Sequence, residues 1–312
     1  MNKVLVTGAN GFVGSALCVA LQARDINFVP VVRHANHDKQ RAVGDLSVAT
    51  KWKNHLIGCD TVIHLAARVH VMHDTSKDPL AAFREVNVEA TLNLARQALL
   101  CGVRRLVFVS SVKVNGEKTT DHPFTFHDAP APVDSYGISK MEAEQALLAL
   151  SRETGLEVVI VRPPLVYGAG VRANFLRLMQ LANMGLPLPL GSIHNRRSMV
   201  ALDNLIDLLV TCAHHPVAAG QTFLVSDEHD VSISELLRML AGAMGRRSCL
   251  LPLPAGIIAG LAALFGKSAV ASRLLDSLQV DIAHTKLQLG WKPVVSMQEA
   301  VNRTTAYFLA HR

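Results

Sequence analysis

Short apolar runs alternate with amphipathic segments along the first half of the chain. The runs VLV (4–6), VIHL (62–65) and LVFV (106–109) are apolar almost throughout. Between them lie segments whose apolar residues recur at helical spacing, including GFVGSALCVALQA (11–23) and a long segment from Pro79 to Leu100. Apolar strands that alternate with helices are typical of parallel strands covered on both faces. The pattern therefore predicts βαβ units and an α/β fold with a doubly wound parallel sheet.

The pattern changes after LEVVIVRPP (156–164), where loops rich in glycine and proline appear. Further on, SMVALDNLIDLLV (198–210) and QTFLVS (221–226) again show the order strand, helix, strand. We therefore predict two interleaved domains. The first comprises residues 1–165 and about 199–226, and the second is a smaller C-terminal α/β domain of residues 166–198 and 227–312.

The composition favours a compact intracellular protein. The chain has 312 residues, half of them apolar and 18% charged, so it can bury a large core. Its five cysteines are scattered without a C-x-x-C spacing, which favours a reducing compartment. The N-terminus enters a strand almost at once, leaving no room for a signal peptide, so we expect a cytoplasmic protein.

The charged residues and the histidines indicate which ligands the chain can bind. The net charge is +6, with lysine and arginine spread singly, which disfavours nucleic acid and fits anionic small molecules. Fourteen histidines are present, but neither His70 with His73 nor His214 with His215 has the mixed ligand set of a zinc site, and we predict no metal. His64, inside an apolar run, is interpreted as a buried strand histidine.

The most apolar late segment is LPLPAGIIAGLAALFG (251–266). Two prolines and three glycines interrupt it, and it falls short of the roughly 20 apolar residues that span a bilayer. We therefore predict no integral membrane insertion. A buried helix and a helix that touches a membrane surface remain open, and we favour the buried one.

A glycine-rich turn, TGANGFVG (7–14), follows the first strand and opens the first helix. Gly8, Gly11 and Gly14 allow a tight turn and let backbone N–H groups approach a pyrophosphate at the positive end of the helix dipole. The turn predicts a dinucleotide site in a Rossmann-type first domain.

Further motifs give the chain a family resemblance. Tyr136 and Lys140 form a Y-x-x-x-K pair, with Ser111 upstream. Four residues apart on a helix, the ammonium can lie near the phenol and should lower the tyrosine pKa from about 10. With these residues the chain resembles the extended short-chain dehydrogenase/reductase family, which includes nucleotide-sugar epimerases, dehydratases and 4-ketoreductases. The resemblance extends over HLAA (64–67), SSVKVNGE (110–117), YGISK (136–140), VRPPLVYG (161–168) and LGWKP (289–293).

The resemblance implies roles for individual residues. Tyr136 is the general acid/base, Lys140 tunes it and holds the nicotinamide ribose, and Ser111 binds the substrate oxygen. Asn87 lies near the active site, and Asp45 faces the adenine amine. The full set of expected cofactor-binding residues is Gly8, Gly11, Phe12, Val13, Gly14, Arg33, His34, Asp45, Leu46, Leu65, Ala66, Ala67, Asn87, Tyr136, Lys140 and Pro163.

The choice of cofactor depends on the end of the second strand, NFVPVV (27–32). An NAD site usually has Asp or Glu there, whereas this chain has Arg33 and then His34. A guanidinium fork suits a 2′-phosphate, so NADP is preferred over NAD. An epimerase returns the hydride that it removes and gains nothing from an NADPH pool, so Arg33 favours a reductase.

The substrate implied by the resemblance is a nucleotide-diphosphate sugar, contacted by Asn174, Arg197 and Arg273. The motifs are most similar to those of a UDP-glucose 4-epimerase-like subgroup that includes reductases forming UDP-N-acetylquinovosamine for surface polysaccharides. Asn115 stands where V-Y-G is usual, and this leaves the sugar open. We predict an NADPH-dependent 4-ketoreductase, with a UDP-glucose or UDP-GlcNAc 4-epimerase as the alternative and a silent dinucleotide-sensing regulator as a remote one. A homodimer through the helices 79–100 and 139–154 is also expected.

Overall fold

A computed structural model describes residues 3–69, 78–266 and 268–311. Seven parallel strands form one sheet in the order β3-β2-β1-β4-β5-β6-β9, and β7 pairs with β8 in a separate parallel ribbon. The strands are β1 Val4–Thr7, β2 Phe28–Val32, β3 Arg41–Ala42, β4 Thr61–His64, β5 Arg105–Val109, β6 Glu157–Arg162, β7 Leu165–Tyr167, β8 Met199–Ala201 and β9 Thr222–Leu224.

The described residues form twelve α-helices, of which some cover both faces of the large sheet and others pack beside the β7–β8 ribbon. They are α1 Phe12–Ala23, α2 Lys53–Leu56, α3 Pro79–Arg84, α4 Ala90–Leu100, α5 Ser135–Thr154, α6 Ala173–Met184, α7 Leu202–His214, α8 Ile233–Ala243, α9 Ala255–Leu264, α10 Ser268–Leu275, α11 Ala283–Leu289 and α12 Met297–Ala310. Short 3₁₀ turns occupy Val112–Val114 and Pro216–Ala218. The predicted Rossmann-type α/β fold is confirmed.

The strand order creates the crevice that the glycine turn needs. Strand β1 lies between β2 and β4, with Val4 in register with both Phe28 and Thr61. The chain leaves β1 for β2 on one side and reaches β4 on the other, so β1 marks the switch point of the sheet. Ligands of such sheets bind outside the carboxyl ends of the strands at this point.

Alternating residues of each strand pack into different cores. Val4 and Val6 of β1 belong to a core under α1 and α7, whereas Leu5 belongs to a core under α4 and α5. A further core joins α6, α8 and α12 beside the β7–β8 ribbon. Strand β9 returns to the edge of the large sheet, while β8 joins β7 instead.

The long helix predicted from Pro79 to Leu100 is not continuous. It consists of α3, a π-helical turn at Glu85–Glu89, and α4. The π-helical turn places one extra residue in the helix and carries the buried Asn87. Such turns often occur at functional sites, and hydrophobic periodicity does not reveal them.

Helix α9 differs from our expectation, because the predicted burial of residues 251–266 is wrong. Leu264 is 78% and Phe265 73% exposed, and Ile257 and Leu261 are about half exposed. Within the part of the chain that the structure describes, no helix combines the length and apolar character needed to cross a bilayer.

Candidate active site

The glycine turn is built so that only glycine fits. Gly8 has φ +66°, and a Cβ on Gly14 would lie 2.1 Å from the carbonyl oxygen of Gly8. Helix α1 begins at Phe12, and no side chain of the described residues caps it or places an acid in its first turn. Its first N–H groups are therefore free to bind an anion, as the pyrophosphate of a dinucleotide requires. The residues present fit this cofactor.

A buried hydrogen-bond network fixes the loop HLAA beside this turn. The hydroxyl oxygen of Thr7 accepts from the backbone N–H groups of Leu65 and Ala66, both at 3.1 Å. His64 Nδ1 lies 2.7 Å from the same oxygen, and Nε2 lies 3.0 Å from Thr91 Oγ1. Burial, followed by the charge of Lys140, lowers the pKa of His64 to about 3. The histidine is thus neutral and structural, which confirms the prediction for it.

Ser111, Tyr136 and Lys140 meet at the N-terminal end of α5. The Asp134 side chain caps this helix by accepting from the N–H of Gly137 at 2.7 Å. The Ser111 hydroxyl lies close enough to the Tyr136 hydroxyl to lower the pKa of that phenol. Lys140 Nζ lies 5.9 Å from the centroid of the Tyr136 ring. The three residues that the sequence singles out therefore form one cluster.

Lys140 is the deepest member of this cluster. Its side chain is almost fully buried, donates to the carbonyl oxygen of Val109 at 2.8 Å, and lies 4.5 Å from the centroid of the Phe108 ring. Burial lowers its pKa to about 7, with the carboxylate of Glu144 acting in the opposite direction. The ammonium is thus poised to lose its proton near neutral pH.

The expected lowering of the tyrosine pKa is wrong for this structure. Burial raises the pKa of Tyr136 to about 12, the charge of Asp134 adds to the rise, and the hydrogen bond from Ser111 opposes it. The Lys140 ammonium donates to the carbonyl oxygen of Val109, lies 5.9 Å from the centroid of the Tyr136 ring, and does not offset the effect of burial on the phenol. Without ligand, Tyr136 is therefore a protonated phenol, the form of a general acid.

The Asn87 side chain is buried and hydrogen-bonded to two other segments of the protein. Its Oδ1 accepts from the backbone N–H of Arg68 at 2.8 Å, and its Nδ2 donates to the carbonyl oxygen of Arg68 and to Ser139 Oγ, both at 3.0 Å. The amide thus joins the loop after β4 to helix α5. Its predicted contact with the cofactor stays a prediction.

Sequence reasoning missed a buried ionic network below the lysine. Glu144, one turn after Lys140, pairs with Arg162 at 2.5 Å, and Arg162 Nη1 donates to Asn115 Oδ1 at 3.1 Å. Asn115 Nδ2 in turn donates to the carbonyl oxygen of Thr125 at 2.9 Å. The spacing Y-x-x-x-K-x-x-x-E was a signal for Glu144. In this network the Asn115 side chain has two hydrogen-bond partners, at a position where the resembled family usually has tyrosine.

The predicted adenosine end of the cofactor site lies at the surface. Arg33 Nε is 3.0 Å from Asp45 Oδ1, and their side chains are 68% and 83% exposed. His34 is exposed beside them, and Leu46 packs partly against the core under α4 and α5. Arg33 and Asp45, which we assigned to different parts of the adenosine, are thus neighbours.

The remaining predicted residues are distributed over several elements. Phe12 packs against two cores, and the carbonyl oxygen of Pro163 accepts from Val112 N at 3.0 Å. Asn174 is exposed in the first turn of α6. Arg197 Nη1 donates to the carbonyl oxygen of Asp276 at 2.9 Å, and burial lowers its pKa. The Arg273 side chain, His70 and His73 lie outside the described residues.

Comparisons with known proteins agree with this geometry. A UDP-glucose 4-epimerase of Vibrio cholerae is 49% identical, and the match covers 98% of this chain and 95% of that protein. An N-acetyl-alpha-D-glucosaminyl-diphospho-ditrans,octacis-undecaprenol 4-epimerase of Escherichia coli O157:H7 is 26% identical, with coverage of 99% and 96%. The solved structure of MoeE5 with UDP-glucose and NAD is 26% identical, has a TM-score of 0.79 and covers 99% of both chains.

The family assignment combines this likeness with a match to a family model. The model of the NAD dependent epimerase/dehydratase family matches residues 4–226, which include the glycine turn, the cluster of Ser111, Tyr136 and Lys140, and the return strand β9. The protein is therefore an NAD(P)-dependent enzyme of the extended short-chain dehydrogenase/reductase type and belongs to the NAD dependent epimerase/dehydratase family.

Proposed function

We propose that the protein is a UDP-sugar 4-epimerase. The observation that carries the proposal is the cluster of Ser111, Tyr136 and Lys140 beyond the carboxyl end of β5, in a sheet whose glycine turn after β1 fits a pyrophosphate. The 49% identical relative is named as a UDP-glucose 4-epimerase, and MoeE5 was solved with UDP-glucose and NAD. These likenesses favour the epimerase, which was our alternative, over the reductase.

The roles of the residues follow from their positions. A bound nicotinamide supplies the hydride chemistry. Tyr136 holds a proton at its phenol oxygen and exchanges it with the sugar C4 oxygen, while the Ser111 hydroxyl orients both oxygens. Lys140, whose pKa is about 7, changes charge near neutral pH and so controls how readily the phenol gives up its proton.

The substrate diphosphate has a candidate partner in Arg197. Its partly buried guanidinium donates to the carbonyl oxygen of Asp276, and burial lowers its pKa, as expected for a cation that gains from a bound anion. Asn174 and Arg273 are proposed as further contacts on the same side. Arginine suits this task because its planar fork matches two phosphate oxygens.

A second candidate function, NADPH-dependent 4-ketoreduction, is favoured by one observation. Arg33 is an exposed cation directly after β2, where an NAD site usually carries an acid. Asp45 lies 3.0 Å from it, so a 2′-phosphate would have to compete with this carboxylate.

One pair of assays separates the candidates. Purified protein is incubated with UDP-glucose, and UDP-galactose is followed by chromatography; in parallel, NADPH absorbance is followed with a UDP-4-keto-6-deoxy sugar. Interconversion without NADPH consumption supports the epimerase, and consumption without interconversion supports the reductase. Tyr136→Phe should reduce either activity by about 10²–10⁴-fold. If neither reaction occurs with the native protein, the proposal fails and a nucleotide-sensing role gains support.

The cofactor preference has its own test. Replacing Arg33 with Gln removes the cation but keeps a polar side chain at the surface. If the protein uses NADP, the apparent KM for NADPH should rise about tenfold, whereas the KM for NADH stays unchanged, because a charge-assisted phosphate contact contributes about 1.5–3 kcal/mol. Equal changes for both cofactors would contradict a 2′-phosphate contact.

A further inference from the structure

Helix α9 presents an apolar surface to solvent, which we call the α9 face and define as Leu251, Ile257, Leu261, Leu264 and Phe265. Their exposed fractions are 51%, 49%, 50%, 78% and 73%. The four helix-associated members follow the spacing i, i+4, i+7, i+8, so they form one stripe. Contiguous exposed apolar patches on otherwise well-packed proteins mark interaction sites.

The contacts of α9 with the rest of the protein cover only part of its apolar surface. The helix, AGIIAGLAAL, has no charged or polar residue, and a helix that is apolar all round is normally buried in protein or in a membrane. Here Ile258 packs partly against the core of α6, α8 and α12, and α9 otherwise rests on α10. Its remaining surface therefore requires another partner.

A neighbouring segment extends the apolar surface. Residues 249–254 run parallel to 188–192, with Leu188 N donating to Cys249 O at 2.9 Å and Leu251 N to Leu188 O at 2.8 Å. Just before this pairing, Met184 is 60% and Leu186 57% exposed. Two proline-rich apolar loops thus lie side by side at the same end of the molecule as α9.

The chain segment that contains the α9 face, between Glu235 and Asp276, carries charges of one sign. From residue 236 to residue 275 the sequence contains five basic residues and no acidic one. Arg246 and Arg247 are both exposed just before the face, and neither is ion-paired within the described residues. An anionic lipid surface matches this combination, because headgroup phosphates attract the cations while the apolar side chains enter the boundary with the acyl chains.

We propose that the α9 face docks the protein on an anionic membrane surface, with α9 lying in the interface and not crossing it. The inference rests on exposure, packing and charge and does not depend on the proposed function. Docking would have a use for catalysis, since α10 leads directly to Asp276, whose carbonyl oxygen accepts from Arg197. The chain thus connects α9 and α10 to the carbonyl oxygen that holds the candidate diphosphate-binding arginine.

Vesicle sedimentation with the full chain tests the apolar part of the proposal. Vesicles of phosphatidylcholine alone are compared with vesicles containing about 30% phosphatidylglycerol. The native protein should sediment with the anionic vesicles. Leu264→Asp should weaken this binding by about tenfold or more, because it places a charge in the apolar boundary. The matched control is Val19→Asp on α1, where Val19 is 68% exposed and far from the face in sequence, and it should bind like the native protein.

The charge contribution is tested separately with the double substitution Arg246→Gln, Arg247→Gln. Each arginine near an anionic surface is worth about fivefold in affinity, so the pair should lose about 25-fold, and added salt should reduce native binding likewise. Arg152→Gln, another exposed arginine, is the control. The proposal is overturned if native protein stays in the supernatant with anionic vesicles or if the variants bind equally well. It is also overturned if the lipid-free protein is a dimer that Leu264→Asp dissociates, because a second copy then covers the face.

Discussion

Ser110 and Ser111 are adjacent in the chain but have different surroundings in the candidate site. The Ser111 hydroxyl lies near that of Tyr136 and acts to lower its pKa, whereas the Ser110 hydroxyl is buried without a hydrogen-bond partner among the described residues. Ser111→Ala should reduce kcat/KM by about 10²-fold, because the substrate oxygen and the phenol lose a shared hydrogen bond. Ser110→Ala should stay within about twofold of the native protein, since it removes no made interaction. A larger loss for Ser110→Ala than for Ser111→Ala would contradict this assignment.

Lys140 gives the stability of the protein a defined pH dependence. Its pKa is about 7 when folded, against 10.5 ordinarily. Below pH 7, Lys140 is protonated in both the folded and the unfolded protein, and the folded protein bears the full free-energy cost of burying this cation. Between about pH 7 and 10.5 the unfolded chain binds the extra proton, so the contribution of this lysine to stability rises with pH. Near pH 6, Lys140→Met should therefore have a free energy of unfolding roughly 2 kcal/mol above that of the native protein, measured by denaturant titration. This gain in stability should shrink towards pH 10.

Lys113→Met serves as the control for this pH series. Although burial alone would lower the Lys113 pKa, hydrogen bonds to Asp134 and Glu117 outweigh it and the pKa is raised. Its stabilising contribution is therefore fully present below pH 10.5 and is lost only above that value. Lys113→Met should be less stable than the native protein near pH 6, the opposite of Lys140→Met. Parallel behaviour of the two variants would show that the pKa of Lys140 is not lowered.

At the scale of elements, two carboxylates on helix α5 allow a matched comparison. Glu144 pairs with the buried Arg162 of β6, whereas Glu142 pairs with the half-exposed Arg84 of α3. Glu144→Gln leaves a buried guanidinium without its counter-charge and should lower the free energy of unfolding by about 3–5 kcal/mol in urea denaturation. Glu142→Gln, in solvent, should change it little. Equal effects would show that the Glu144 pair is not desolvated.

Glu144→Gln should also act on the catalytic lysine. The Glu144 carboxylate raises the pKa of Lys140 against the effect of burial. Its loss should move that pKa lower still, so any pH-rate limb that belongs to Lys140 should move in the same direction.

The elements show which features sequence can reveal. The strands β1, β4 and β5 and the glycine turn were predictable because burial on both faces and the close approach of Gly14 to Gly8 restrict residue choice directly. The π-helical turn at Glu85–Glu89 was not, because one extra residue in a helix hardly alters apolar spacing. The exposure of α9 was not predictable either, since an apolar run looks the same whether protein or another partner covers it.

In the candidate site, the sequence predicted which side chains lie together but not how their charges balance. Ser111, Tyr136 and Lys140 follow from motif spacing. The high pKa of Tyr136 instead depends on burial and on Asp134, and the low pKa of Lys140 depends on the apolar surroundings supplied by Phe108 and other elements. Such effects come from tertiary packing, which a helix-face argument cannot include.

For the whole molecule, the last part of the chain completes the core of the first. Trp291, only 5% exposed, packs with α7 and α1 and donates through Nε1 to Asp207 Oδ2 at 2.9 Å. Asp207 in turn pairs with Arg24 at the end of α1. Leu278, Val280, Ile282 and Leu289 join the same core. The predicted dinucleotide-binding part therefore depends on residues far beyond position 226.

This interdependence predicts that the chain unfolds as one cooperative unit. Trp291→Ala should lower the free energy of unfolding by about 3–5 kcal/mol, because it leaves a large cavity and removes the hydrogen bond to Asp207 Oδ2. Trp52 is then the remaining tryptophan, and it is fully buried under α4, so its fluorescence reports the sheet while circular dichroism reports all helices. Both signals should change together at a lower urea concentration than in the native protein. Phe265→Ala, at an exposed aromatic, should leave the transition in place, and two separated transitions in the Trp291→Ala variant would show that the cores are independent.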